Sequence, residues 1–196
     1  MHKLFLLKIG GGFITDKTKP FSVRRGRMQK IAKTIKRLRA RHPEIRLIVG
    51  NGGGSFGHYT VLKHRAASKG RVAPFGAAEI HQSVVELNEI FTKALLKEKI
   101  PAFSVSPSSF MTSAKGKTKQ VNLAAIETLL ANGMVPVVYG DVIPDATLNG
   151  TIFSTESVFA VIVNRLAQKY QGITVVYAGD LPGVLNERSV IRTVTS

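Results

Sequence analysis

A lysine closes an apolar run in "LKIGGGFITDK" (7–17), and a histidine follows four glycines in "NGGGSFGH" (51–58). Lysine is almost never fully buried unless it is paired, so the Lys8 ammonium is expected to point into a crevice at the strand end. Lys17 reads either as a loop lysine in solvent or as a cation for an anionic ligand. Glycines in such loops let the backbone approach a ligand closely, and their unpaired N–H groups, with a helix start, make an anion site. Two glycine-rich loops with Lys8 and Lys17 point to a ligand carrying several phosphates. His58 either caps or packs the helix starting near Ser55, or donates to a phosphate oxygen. The second reading suits the helix dipole, because an anion offsets the dipole that disfavours a cation there. Asp141 and Asp145, in "VYGDVIPD" (138–145), fit turn chemistry and equally fit magnesium binding or the orientation of lysines.

Common nucleotide motifs fit poorly. Gly52-x-Gly54-x-x-Gly57 matches the dinucleotide fingerprint in form, but it follows the second strand and lacks a strand-ending acid downstream. Gly52 to Gly57 also opens like a Walker A loop, yet His58 and Tyr59 stand where lysine and Ser/Thr are required. His2, His42, His64 and His81 show no metal-ligand spacing and receive no ligand role.

Short apolar runs alternate with helical patterns. Strands are expected at 3–9, 45–49, 102–105, 135–139 and 174–177, and helices at 23–41, 55–67, 76–99, 122–131 and 156–170. The strands are apolar throughout, as when helices cover both faces of a parallel sheet, and the alternating order predicts an open α/β sandwich. Ligands in such folds sit beyond the carboxyl ends of the strands, where the three irregular segments fall.

The 196 residues hold 28 Lys+Arg against 12 Asp+Glu, a formal charge of +16. Much of the excess lies in 24–42, where Met28, Ile31, Ile35 and Leu38 recur at helical spacing beneath a cationic outer face. That face reads as solvated or as attractive to anions. It lacks interleaved aromatics, so any nucleic-acid contact is expected to be non-specific. Absence of cysteine excludes disulfides and thiolate metal sites and is compatible with a cytoplasmic setting. No run has membrane-spanning length.

The stretches "LKIGGGFITDK", "GGGSFGH", "PAFSVSPSSF", "GMVPVVYGDVIPD" and "IFSTES" resemble, in order, the amino acid kinase family, and within it the isopentenyl phosphate kinases. The resemblance implies a single domain over 1–196, a three-layer αβα sandwich with a mainly parallel open sheet. It implies ATP-dependent phosphorylation of isopentenyl phosphate or a close alkyl monophosphate, with Mg2+ on the ATP, and a homodimer. The alternative is a non-catalytic phosphate-ligand or RNA-binding module derived from that fold.

Carried over, Lys8 bridges donor and acceptor phosphates, and Lys17 neutralises phosphate charge. Gly10, Gly11 and Gly12 cradle ATP, with Glu156 and Asp180 also on the nucleotide side. Gly53 and Gly54 give backbone donors to the acceptor phosphate, His58 gives a side-chain donor, and Gly76, Ile80 and Val84 wall the alkyl tail. The sequence departs from the pattern. Ser154-Thr155-Glu156 replaces Ser-Gly-Asp, Asn51 replaces a histidine, and the turn around Asp180 loses one acid. The acceptor side is expected to be complete, and the Gly-rich, Lys-bearing segment expected over the nucleotide does not occur before Ser196.

Overall fold

The structure is a computed structural model that describes residues 2–64, 71–179, 184–186 and 189–191. The chain runs β1 (Lys3–Ile9), α1 (Gly11–Ile14), α2 (Arg25–Arg41), β2 (Ile45–Asn51), α3 (Gly54–Lys63) and α4 (Pro74–Lys97). It continues through β3 (Ala102–Ser104), α5 (Pro107–Phe110), β4 (Met111–Ala114), β5 (Lys117–Val121), α6 (Ala124–Ala131) and β6 (Val135–Tyr139). Then come β7 (Asp141–Asp145), β8 (Asn149–Phe153), α7 (Thr155–Leu166), β9 (Ile173–Ala178), β10 (Val184–Asn186) and β11 (Ser189–Ile191).

Five strands pair in parallel in the order β3-β6-β2-β1-β9. Alternation along β1 divides its side chains between two cores. Leu4 and Leu6 join Val158, Phe159 and Ile162 of α7 and Ile126 and Leu130 of α6. Phe5, Leu7 and Ile9 join Met28, Ala32 and Ile35 of α2 and Leu87, Phe91 and Leu95 of α4. Helices therefore cover both faces, giving the expected three layers. The eight Lys and Arg of α2, unaccompanied by any acid on that helix, surround a buried stripe of Met28, Ala32 and Ile35. No described helix is long and apolar enough to cross a membrane.

The expected helices occur with shifted ends. α4 begins at Pro74, whose fixed φ suits the first turn, and the expected extension of α3 to Ala67 lies partly outside the described residues. The larger difference is a second sheet, β5-β4-β7-β8, that periodicity does not suggest. β5 is almost wholly exposed, and Pro144 interrupts β7, so neither shows the alternation of a half-buried strand.

Asp145 holds this second sheet together. Its two oxygens accept from Gly116 N, Ser113 Oγ, Thr151 Oγ1, Thr147 N, Thr147 Oγ1 and Leu148 N, all at 2.8–3.0 Å. A carboxylate has about four lone-pair sites, so six donors saturate it. The magnesium or lysine-orienting role considered for Asp145 is therefore corrected to a turn role.

Burial opposes the Asp145 charge, but the Gly116, Thr147 and Ser113 hydrogen bonds outweigh it and hold its pKa well below the usual value of 3.8. A group whose folded pKa is depressed contributes stability above its unfolded pKa and loses that contribution as pH falls. Asp145→Asn is expected to unfold at lower urea than wild type at pH 7, with the gap closing as pH drops below about 4. Urea titrations at several pH values test this. A gap unchanged at pH 3 contradicts the assignment.

Candidate active site

The alternation that buries Leu4 and Leu6 places Lys8 on the same, α7-facing side of β1, at the strand's carboxyl end. α7 starts there. Ser154 caps it by accepting from Ser157 N at 3.1 Å, which fixes Glu156 in the first turn. Lys8 Nζ donates to Glu156 Oε1 at 2.6 Å, with the lysine side chain only 16% exposed. Burial opposes the Glu156 charge, but the Lys8 hydrogen bond and local donors outweigh it, so its pKa lies below the usual carboxylate value. The group that orients Lys8 is thus Glu156, a role the sequence suggested for Asp141 or Asp145. Strand alternation combined with an acid in a helix's first turn was the available signal.

The two glycine-rich loops meet backbone to backbone. Gly52 N donates to Ile9 O at 3.0 Å, and a Cβ on Gly11 would lie 2.2 Å from Gly54 N. Gly54 also sits at φ +53°, where a Cβ would strike Thr15 Oγ1 at 2.4 Å. Thr15 Oγ1 accepts from Ser55 N at 2.9 Å and donates to Gly11 O at 2.7 Å, stitching the first loop to the start of α3. Gly10 departs from the expected cradle: its N–H donates to Ala178 O at 2.7 Å, extending the ladder between β1 and β9.

These loops form one side of a cleft of about 370 Å3. Gly11, Gly12, Lys17, Gly53, Gly54 and His58 line it together with Glu156, and Val61, Ile80, Val84 and Ile152 make an apolar wall. Lys17 and His58 are exposed. His58 is the fifth residue of α3, not in its first turn, and does not cap the helix, whose N-cap is Gly53. Gly76 lies away from the lining, packed beneath the His64 ring. Asp180 falls outside the described residues. A larger groove of about 670 Å3, between α2 and α4, contains none of these groups.

Asp141 borders the cleft with its carboxylate fully buried. His81 Nδ1 lies 2.8 Å from its Oδ1, and Ser106 Oγ, Ser108 N and Val142 N donate to the carboxylate. It contacts neither Lys8 nor Lys17 among these partners, so the lysine-orienting reading of Asp141 is also corrected. Among the described residues no cluster of three His, Asp or Glu could hold a metal ion.

The cleft thus gathers two glycine loops, Lys17 and His58 beside apolar side chains, with Glu156 linking its lining to Lys8. The sequence profile of the amino acid kinase family matches residues 3–194. Isopentenyl phosphate kinase of Methanocaldococcus jannaschii is 31% identical over 97% of this chain and 74% of its own length. That of Methanothermobacter thermautotrophicus is 32% identical over 92% of this chain and 68% of its own. An X-ray structure of isopentenyl phosphate kinase superposes with a TM-score of 0.81 at 30% identity, covering 92% of this chain and 75% of the other. On this match, spanning nearly every residue, the chain belongs to the amino acid kinase family.

Proposed function

We propose that the chain transfers the γ-phosphoryl group of ATP to isopentenyl phosphate, or to a close alkyl monophosphate, forming the diphosphate. The observation that carries this reading is the mixed lining of the cleft, in which glycine-loop residues, Lys17 and His58 stand beside Val61, Ile80, Val84 and Ile152. An acceptor with an anionic head and a short branched tail suits both kinds of lining, and the similarity to isopentenyl phosphate kinases supports that acceptor.

Phosphoryl transfer asks a protein mainly for positioning and for cations where charge is spread over the transferred group. In this reading, the Gly53 and Gly54 amides and the His58 imidazole hold the acceptor phosphate. Gly11 and Gly12 border the donor phosphates, and Lys17 neutralises charge at the loop. Lys8, paired with Glu156 of the cleft lining, supplies the cation between donor and acceptor. The ATP phosphates would carry the Mg2+, which would offset part of their charge.

His58→Ala is expected to raise the KM for isopentenyl phosphate roughly tenfold or more, since a hydrogen bond to a charged group contributes about 1.5–3 kcal/mol, while leaving the KM for ATP nearly unchanged. A coupled ADP-release assay with each substrate varied separates the two. Equal losses for both substrates contradict the assignment.

Lys8→Met is expected to lower kcat on the order of a hundredfold or more, as removal of a single transition-state donor does, with a smaller change in either KM. The same assay measures it, and a kcat within a few-fold of wild type identifies Lys8 as structural.

A further inference from the structure

The His81 and Asp141 pair lies outside the phosphate-binding machinery, yet it touches both sides of the cleft. His81 is the α4 neighbour of Ile80, and Val84 follows one turn later, so the helix that carries His81 also carries the apolar wall. Asp141 belongs to the other side. Its neighbour Gly140 packs so tightly on the turn leading into α7 that a Cβ there would lie 3.2 Å from Thr155 N and from Phe153 O. That turn presents Glu156, and Glu156 holds Lys8. A short chain of contacts thus joins the tail wall, through His81, Asp141 and the turn, to the cleft's cation.

Of the four donors on the Asp141 carboxylate, only His81 comes from the tail-wall helix. Ser106 and Ser108 belong to the start of α5, and Val142 N belongs to β7 itself. Losing His81 leaves Asp141 its other partners and removes the hydrogen bond that supplements the apolar packing of Ala77 and Ile80 on Val142 and Ile152 at the start of α4. Glu79, near the start of α4, pairs with Lys63 and His64 at the end of α3, and two turns beyond His81, Asn88 Nδ2 donates to Asn51 Oδ1 at 2.8 Å.

We propose that His81, through its hydrogen bond to Asp141, is a positioning residue that sets the distance between the apolar wall of α4 and the turn carrying Glu156, and that its protonated form does so. This rests on the phosphorylation reading above. A protonated imidazole donates to a carboxylate more strongly than a neutral one. The hydrogen bond to Asp141 raises the His81 pKa above its usual value, burial working against it. Asp141 is the charged group facing His81 from β7. Ser106 and Ser108 of α5 bring no charge, and burial holds the nearby Tyr139 phenol protonated.

The test compares wild type, His81→Ala and His81→Gln, the last able to donate without a charge. The expected result is a roughly tenfold rise in KM for isopentenyl phosphate in His81→Ala, a partial rescue in His81→Gln, and little change in KM for ATP. In wild type the acceptor KM should rise as pH passes upward through the His81 pKa, and in His81→Gln it should stay flat over that range. Imidazole NMR titration of wild type and Asp141→Asn supplies that pKa independently of activity, with a lower value expected in Asp141→Asn. Circular dichroism and thermal melting show whether each variant folds. If His81→Ala does not fold, His81→Gln and the wild-type pH profile decide alone.

Unchanged kinetics in the folded variants, an equal rise in both KM values, or a wild-type acceptor KM insensitive to pH through that transition each overturn the proposal. A wild type that binds isopentenyl phosphate by calorimetry without turning it over overturns the phosphorylation reading instead. The His81 comparison then proceeds on binding affinity. A wild type that does neither overturns both.

Discussion

The close approach of Gly11 to Gly54 is the constraint on which the site depends. β1 and β2 are parallel neighbours in register, with Ile9 opposite Asn51, so their carboxyl ends empty side by side. Two loops leaving adjacent strands compete for the same space. They share it only because neither carries a side chain at the contact, and the hydrogen bond from Gly52 N to Ile9 O locks them together. The glycines thus matter as much for what they leave empty as for backbone freedom. Once the loops touch, the start of α3 is fixed by Thr15 and Ser55, and His58 follows one helical turn later.

Lys8 and Glu156 show a second constraint, in which placement outweighs stability. The Glu156 side chain is 47% exposed, and ion pairs with that much solvent contribute at most about 1 kcal/mol. What the pair accomplishes is to keep an ammonium at the strand end without leaving it unpaired in a partly buried crevice. An arriving phosphate offers the lysine a stronger acceptor of the same sign. Glu156 is therefore a resting partner for the cation, set by the carboxyl end of an interior strand on one side and a capped helix on the other.

What was legible in the sequence was local. The apolar strands and the stripe of α2 carry their periods in consecutive residues, and these sufficed for the α/β class and the parallel sheet. Lys8 in a crevice followed from one charged residue closing an apolar run. The second sheet was not legible, because β5 is polar on both faces and β7 contains Pro144. Its organiser, Asp145, gathers donors from three separate segments that no window of sequence unites. Glu156 stands 148 residues from Lys8, and Asp141 stands 60 from His81. In both cases the residue types hinted at pairing, while the partner was decided by topology. Gly10 and Gly76 were drawn into the site by the family resemblance, and the structure places one in a strand ladder and the other in helix packing.

Thr155 shows how the departures from the family pattern fit together. The resemblance expects glycine there, and a side chain in its place would intrude on the cleft if it pointed outward. Instead Thr155 is buried, its Oγ1 donating to Asn51 O at 2.8 Å. Its methyl group fills the space above Gly50, where a Cβ would lie 2.7 Å from it. Threonine is thus accommodated because the neighbouring strand offers both a free carbonyl and a missing side chain. Asn51, the other departure, turns its amide oxygen to Asn88 of α4, whose own oxygen accepts from Ser104 Oγ at 2.6 Å. The two residues meet only at the Asn51 carbonyl, which any residue there would offer, while the Asn51 side chain joins α4. Substituting either alone would strand a buried polar group, a loss that generally costs about 1–3 kcal/mol. Each change is thus absorbed by its own buried hydrogen bond, and Thr155 still borders the cleft.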